Sequence, residues 1–77
     1  MKSFRQVKHD GTVTWINELF QLHREGGPAV LRPDGTEEYW RCDRLHRTDG
    51  PAIVTRNGYT EFRIEGKPVS DNQINKA

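Results

Sequence analysis

Short runs of β-forming residues alternate along the chain with the turn dipeptides Asp-Gly and Asn-Gly. Residues 52–55 precede Asn57-Gly58, and residues 59–64 follow it. Asn and Gly adopt positive φ at low cost, so this pattern predicts a β-hairpin. In the second run, side chains alternate between the two faces of the strand. Thr60, Phe62 and Ile64 lie on one face, and the charged residues at 61, 63 and 65 lie on the other.

The same arrangement occurs at Asp10-Gly11 and at Pro33-Asp34-Gly35. Further tight turns are expected at Asp43-Arg44 and Glu65-Gly66, since Gly and Asp favour turns. No segment has helical periodicity over three turns, and residues 15–22 come closest. The sequence therefore predicts an all-β protein, a small antiparallel sheet of repeated β-hairpins with about six short strands.

Internal repetition is the strongest feature of the sequence. Residues 22–30 recur 23 positions later at 45–53, and eight of seventeen positions are identical between 22–38 and 45–61. An aromatic residue stands five positions after the first residue of each turn dipeptide, at Trp15, Tyr39 and Phe62. We expect a period of about 23 residues, with one extra residue in the first copy.

This repetition predicts the organisation of the chain. Residues 1–69 form one repeat domain, and residues 70–77 form a flexible polar tail. The expected units of the domain are approximately 10–33, 34–56 and 57–69.

Residues that recur at equivalent positions usually hold a repeat together. We therefore assign a structural role to the repeated aromatic residues and histidines, which are Trp15, His23, Tyr39, His46 and Phe62. The aromatic residues are expected to form a stripe along the sheet, and each histidine to hydrogen-bond the backbone of the next unit. The alternative is a metal site of the three histidines and Cys42, which needs three or four converging ligands. We predict no metal.

The repeated motif resembles a known type of unit. Leu-His-Arg-x-x-Gly-Pro-Ala-(Val/Ile), then Asp-Gly and an aromatic strand, resembles repeats in small proteins of tailed bacteriophages and bacteria. It is more distantly similar to MORN-type repeats, which also stack β-hairpins into a long sheet. The resemblance covers roughly residues 10 to 67. It implies a scaffold of stacked hairpins and a viral origin, and it implies no catalytic chemistry.

Composition limits the possible functions. The 77 residues can form one small domain, and 12 basic against 11 acidic residues give a net charge of +1. Proteins that bind nucleic acid electrostatically usually carry a clear excess of positive charge. No apolar run is long enough to cross a membrane, and no apolar stretch of a signal peptide follows Met1–Arg5. The single cysteine, Cys42, excludes an internal disulfide and indicates a cytoplasmic location, in the host cell if the protein is viral.

The segment 39–47 departs from the other copies of the repeat because it gathers arginines around two aromatic residues. Trp, Tyr and Arg dominate the binding energy of protein interfaces. We therefore predict a partner-binding surface consisting of Tyr39, Trp40, Arg41, Arg44 and Arg47. The alternative is that Trp40 packs beneath the N-terminal segment while the arginines are solvated or pair with Glu37, Glu38 and Asp43.

These observations favour a non-enzymatic protein-binding module. Small phage proteins often inhibit a host protein, including a defence protein, so the expected mechanism is steric occlusion of a host protein. The alternatives are an RNA- or DNA-binding module, in which Arg32 and Arg56 join the arginines of segment 39–47 on phosphates, and a structural virion subunit. Catalysis by His46, Asp49 and Cys42 is not favoured, because the chain is too short to enclose a pocket. No cofactor is expected, and exposed edge strands make a homodimer a possible assembly.

Overall fold

The computed structural model describes residues 2–70, and every regular element within them is a β-strand. The ten strands are short: β1 (Phe4–Val7), β2 (Val13–Ile16), β3 (Val30–Leu31), β4 (Glu37–Glu38), β5 (Trp40–Arg41), β6 (Arg44–Leu45), β7 (Ile53–Val54), β8 (Thr60–Glu61), β9 (Arg63–Ile64) and β10 (Lys67–Pro68). No helix that could span a membrane occurs in this part of the chain. The tail expected at 70–77 lies, apart from Ser70, outside the described residues.

Six of the strands form one antiparallel sheet in the order β1-β2-β3-β4-β7-β8. Its hairpins close at the turn dipeptides, where Gly11, Gly35 and Gly58 have φ near +90° and donate their N–H groups back across the turn. A side chain would strain this left-handed conformation, which explains why glycine ends each dipeptide. The predicted all-β antiparallel fold is confirmed.

The other strands form two small hairpins, β5–β6 and β9–β10. Each contains two central residues with positive φ, and in the middle copy these are Cys42 (48°) and Asp43 (66°). The turn predicted at Asp43-Arg44 was therefore wrong by one residue. The reason is the cross-strand pairing of Arg41 with Arg44, which leaves the two residues between them to make the turn.

The first copy closes the equivalent hairpin with a longer loop. Ile16 forms an isolated bridge with Leu22, and residues 17–21 connect them without helix. In the other two copies four residues separate the equivalent pair. Residues 41–44 lie between Trp40 and Leu45, and residues 64–67 lie between Arg63 and Pro68. The extra residue that the sequence places in the first copy therefore lies in the 17–21 loop.

The three small hairpins lie side by side and are joined by backbone hydrogen bonds. Asp43 N–H donates to Leu22 O at 2.9 Å, and Gly66 N–H donates to Leu45 O at 2.8 Å. Each bond joins residues that are 21 positions apart, and the second bond repeats the first 23 positions later in the sequence. The backbone of each hairpin is thus positioned by its neighbour, as in a stacked scaffold.

The interior contains few apolar side chains. Ala29, Val30 and Ala52 are the buried hydrophobic residues in the described part of the chain, whereas His23 and Asn17 are the largest side chains buried there almost completely. Small apolar residues remove little surface from water, so hydrophobic burial contributes less than usual. Hydrogen bonds to buried polar groups therefore help to join the small hairpins, as Cys42 N–H does by donating to His23 Nδ1.

The repeated aromatic residues were expected to form a stripe along the sheet. Trp15, Tyr39 and Phe62 are each half-buried. Trp15 lies within β2, whereas Tyr39 and Phe62 each lie between a strand of the large sheet and the first strand of a small hairpin.

Candidate functional site

The structure places four of the five predicted binding residues, Tyr39, Trp40, Arg41 and Arg47, in the wall of one groove. This groove has a volume of about 430 Å³ and is open to solvent. Arg44 lies across the hairpin from Arg41 and lines a neighbouring groove. The segment 39–47 therefore forms a continuous surface around the small hairpin β5–β6.

Trp40 is half-buried and fixed in orientation. Its indole Nε1 donates a hydrogen bond of 2.9 Å to Glu38 Oε1, while Glu38 Oε2 accepts one of 2.8 Å from Arg32 Nε. A ring whose rotamer is already fixed loses little conformational entropy when it contacts a partner. Trp40 is thus prepared for contact, and Arg32 is engaged with Glu38 instead of being free for a phosphate.

Arg47 is engaged within the protein itself. Its guanidinium lies 4.0 Å from the centre of the Tyr39 ring, its Nη1 donates to Pro51 O at 3.1 Å, and its Nε donates to Asp49 Oδ1 at 2.9 Å. In the preceding copy Arg24 lies 3.8 Å from the centre of the Trp15 ring. The repetition of this contact points to a structural role for Arg47 beside any role in binding.

Two glycines of the repeated motif make room for these arginines. A Cβ built on Gly27 would lie 2.9 Å from Arg24 Cζ, and one on Gly50 would lie 2.9 Å from Arg47 Cζ. The φ of neither glycine is positive, so the requirement is steric. A glycine in a sequence usually indicates only a turn, so the steric role of Gly27 and Gly50 was not predicted. The missed signal is the recurrence of Arg and Gly three positions apart in both copies.

Arg41 and Arg44 differ from Arg47 in both exposure and pairing. Both are exposed, and they lie directly opposite each other in β5–β6. Within residues 2–70 neither side chain makes a hydrogen bond or ion pair. Like charges opposite each other destabilise a hairpin. Stability therefore does not account for this pair, and its charge is available to a partner.

The two repeated histidines hydrogen-bond the backbone of the following hairpin, as the repeat predicted. His23 Nδ1 accepts from Cys42 N–H at 3.2 Å, and His46 Nδ1 accepts from Glu65 N–H at 3.0 Å. His23 is only 2% exposed, and its Nε2 contacts Glu25 Oε2 at 3.3 Å. This hydrogen bond lowers the pKa of the Glu25 carboxyl. An Nδ1 that accepts carries no proton, so the proton of neutral His23 is on Nε2.

The alternative metal and catalytic assignments receive no geometric support. Across the described residues, no group of three or more His, Cys, Asp or Glu side chains is arranged to hold a metal ion. Cys42 Sγ lies 3.6 Å from His23 Nδ1. His46 is hydrogen-bonded to the backbone of Glu65, and Asp49 to Arg47. Cys42, His46 and Asp49, the residues of the catalytic alternative, thus have separate hydrogen-bond partners.

Several large apolar side chains are exposed, and the sequence pattern did not predict this exposure. Phe20 is 82% exposed and Leu19 is 67% exposed, both in the 17–21 loop. Phe4, Val7 and Tyr59 are also largely exposed. The available signal was the extra residue of the first copy, because an insertion in a repeat often marks a local function.

No protein-family model, curated protein or solved structure matches this chain. The resemblance to phage repeats and to MORN-type units therefore stays a prediction.

Proposed function

We propose that this protein is a non-enzymatic protein-binding module, a phage-type modulator or inhibitor that covers a functional surface of a host protein, such as a defence protein. The observation that carries the proposal is the gathering of Tyr39, Trp40, Arg41 and Arg47 around one open groove. Arg44 extends the same surface across β5–β6. Steric occlusion is the mechanism, because a rigid hairpin surface needs no chemistry to block its target.

The charge pattern of the groove favours a protein over a nucleic acid as the partner. Glu25 and Asp49 line the groove together with the arginines, so a phosphate backbone laid along it would meet carboxylates. Arg47 and Arg32 are already paired with Asp49 and Glu38. A mixed rim of both charges around an aromatic centre is typical of protein interfaces.

The test is an affinity pull-down from nuclease-treated bacterial lysate with tagged protein as bait. The double variant Trp40→Ala/Arg44→Glu removes the aromatic centre and reverses one exposed charge. Arg56→Glu is the matched control, because Arg56 is also exposed but lies at the turn between β7 and β8. We expect wild type and Arg56→Glu to capture the same protein, and the double variant to lose it.

Other outcomes would select the alternatives. Capture that occurs in a parallel untreated lysate and disappears with nuclease would identify a nucleic-acid-binding module, and its affinity would fall steeply with salt. Assembly beyond a dimer with no captured protein would indicate a virion subunit. Normal capture by Trp40→Ala/Arg44→Glu, with its circular dichroism spectrum unchanged, would refute the site.

A further inference from the structure

We infer that residues 17–21 form an anchor loop that inserts Phe20 into an apolar pocket on the partner protein. The inference rests on the proposed function, since it names a second contact of the same partner. It starts from exposure: Phe20 is 82% exposed and Leu19 is 67% exposed. Phe4, also exposed, pairs with Ile16, the residue immediately before the anchor loop. The apolar side chains are thus concentrated at one end of β1–β2.

The anchor loop is held in one conformation from inside. Asn17, only 1% exposed, accepts hydrogen bonds through Oδ1 from Leu19 N–H at 2.9 Å and Gln21 N–H at 3.0 Å. Its Nδ2 donates to Gln21 Oε1 at 3.0 Å, and Phe20 N–H donates to Asn17 O at 3.0 Å. A preorganised loop loses little entropy on binding. The two apolar side chains are therefore presented in a fixed position.

The backbone conformation of Phe20 is unfavourable for a bulky side chain. Its φ is 62°, in the left-handed region that residues with a Cβ rarely adopt. Positive φ recurs in the other small hairpins, at Cys42, Asp43 and Glu65, so the hairpin accounts for the conformation but not for a phenylalanine in it. A bulky aromatic residue in a strained backbone, with its ring in solvent, indicates a role outside the protein's own stability.

The surroundings of the anchor loop define the chemistry of the partner. Gln21 lines one groove with Arg41, Arg44 and Glu65, and neither arginine forms an ion pair within residues 2–70. Leu22 N–H also donates to Asp43 Oδ1 at 2.6 Å, which fixes the end of the anchor loop to the β5–β6 turn. The fitting partner is a protein whose apolar pocket accepts one phenyl ring and carries carboxylates on its rim. Such charges orient the encounter and exclude pockets with basic rims.

The first test needs no partner. Asn adopts positive φ more readily than Phe, so Phe20→Asn should leave the melting temperature unchanged or raise it by a few degrees. A decrease of more than about 5 °C would show that Phe20 supports the fold, and it would overturn the anchor, since 1 kcal/mol corresponds to about 4–8 °C in a domain of this size.

The second test uses the nuclease-treated lysate as the probe. The baits are wild type, Phe20→Asn, and a loop exchange in which residues 64–67 of the third hairpin replace residues 17–21. Tyr59→Asn is the control for loss of an exposed aromatic residue. We expect wild type and Tyr59→Asn to capture one protein, and the two loop variants to retain less than a tenth of it.

Each remaining outcome has a distinct meaning. Capture retained by Phe20→Asn would overturn the anchor and leave the proposed function intact. Capture by no bait, wild type included, would refute the proposed function and the anchor together. Binding to phosphatidylcholine–phosphatidylglycerol vesicles, or self-association in solution, that is lost in Phe20→Asn would overturn the anchor, because the loop would then contact a membrane or a second copy.

Discussion

The contact between Arg24 and Gly27 couples two residues of the repeated motif, and its energy can be measured. The Arg24 guanidinium lies over Trp15, and its Nη1 donates to Pro28 O at 3.1 Å. A partly exposed cation–π contact contributes about 0.5–1 kcal/mol, and a hydrogen bond from a charged group about 1.5 kcal/mol. Arg24→Ala should therefore lower the free energy of unfolding by about 2 kcal/mol.

Gly27→Ala should remove the same interactions indirectly. The new Cβ would lie 2.9 Å from Arg24 Cζ, so the guanidinium must leave Trp15. The variant regains about 0.5 kcal/mol because alanine restricts the unfolded chain, which leaves a net loss of about 1.5 kcal/mol. In an Arg24→Ala background the clash disappears, and Gly27→Ala should be neutral or stabilising by about 0.5 kcal/mol. The expected coupling energy is thus about 2 kcal/mol.

The assay is urea denaturation of wild type, both single variants and the double variant, followed by far-ultraviolet circular dichroism. Arg47 and Gly50 provide an independent repeat of the cycle, since their Cζ–Cβ distance is also 2.9 Å. Equal destabilisation by Gly27→Ala in the wild-type and Arg24→Ala backgrounds would refute the reasoning, because the glycine would then be required by the backbone.

Further predictions concern pH, a buried histidine and the edge of the sheet. Hydrogen bonds from the backbone N–H groups of Thr12 and Thr36 lower the pKa of Asp10 and Asp34 from the usual 3.8. The two carboxylates therefore stabilise the fold fully above that pH, and this stabilisation is lost as the pH falls below it. Asp10→Asn/Asp34→Asn should reduce the decline of the urea midpoint between pH 5 and about pH 2.5, and an unchanged decline would contradict this assignment. His23→Ala should lower the free energy of unfolding by about 1–3 kcal/mol more than His23→Asn in urea denaturation, because Asn can still accept the Cys42 N–H bond. Since β1 is an exposed edge strand, sedimentation should show weak dimerisation that Val7→Lys reduces, and an equal response of both proteins to concentration would exclude β1 as the contact.

The fold was largely predictable because its strongest signals are local. Asp34-Gly35 and Asn57-Gly58 specify hairpin turns through φ alone, and both close hairpins of the large sheet. The position of the β5–β6 turn was predicted less well. Cys42 and Asp43 adopt positive φ because the pairing of Arg41 with Arg44 places them at the turn, and the turn propensity of single residues does not contain that information.

The candidate site was only partly predictable. Composition identified Trp40, Arg41 and Arg44 as a surface, since aromatic and arginine side chains are recognisable in any fold. It could not distinguish the exposed Arg41 from the engaged Arg47, because that difference depends on the Tyr39 ring and on Pro51 O. Phe20 was missed for a similar reason. An apolar residue in a sequence is expected in the interior, and only the structure shows that its loop turns outward.

The polar interior also determines how this protein responds to temperature. Exposure of apolar surface on unfolding raises the heat capacity, whereas exposure of polar surface lowers it. The interior here contains alanine, threonine, asparagine and histidine, including Thr14, Asn17 and His23. The heat capacity change of unfolding should therefore be smaller than the roughly 12–15 cal/mol/K per residue of ordinary domains. A smaller value flattens the stability curve, so the stability of this protein should vary little over a wide range of temperature.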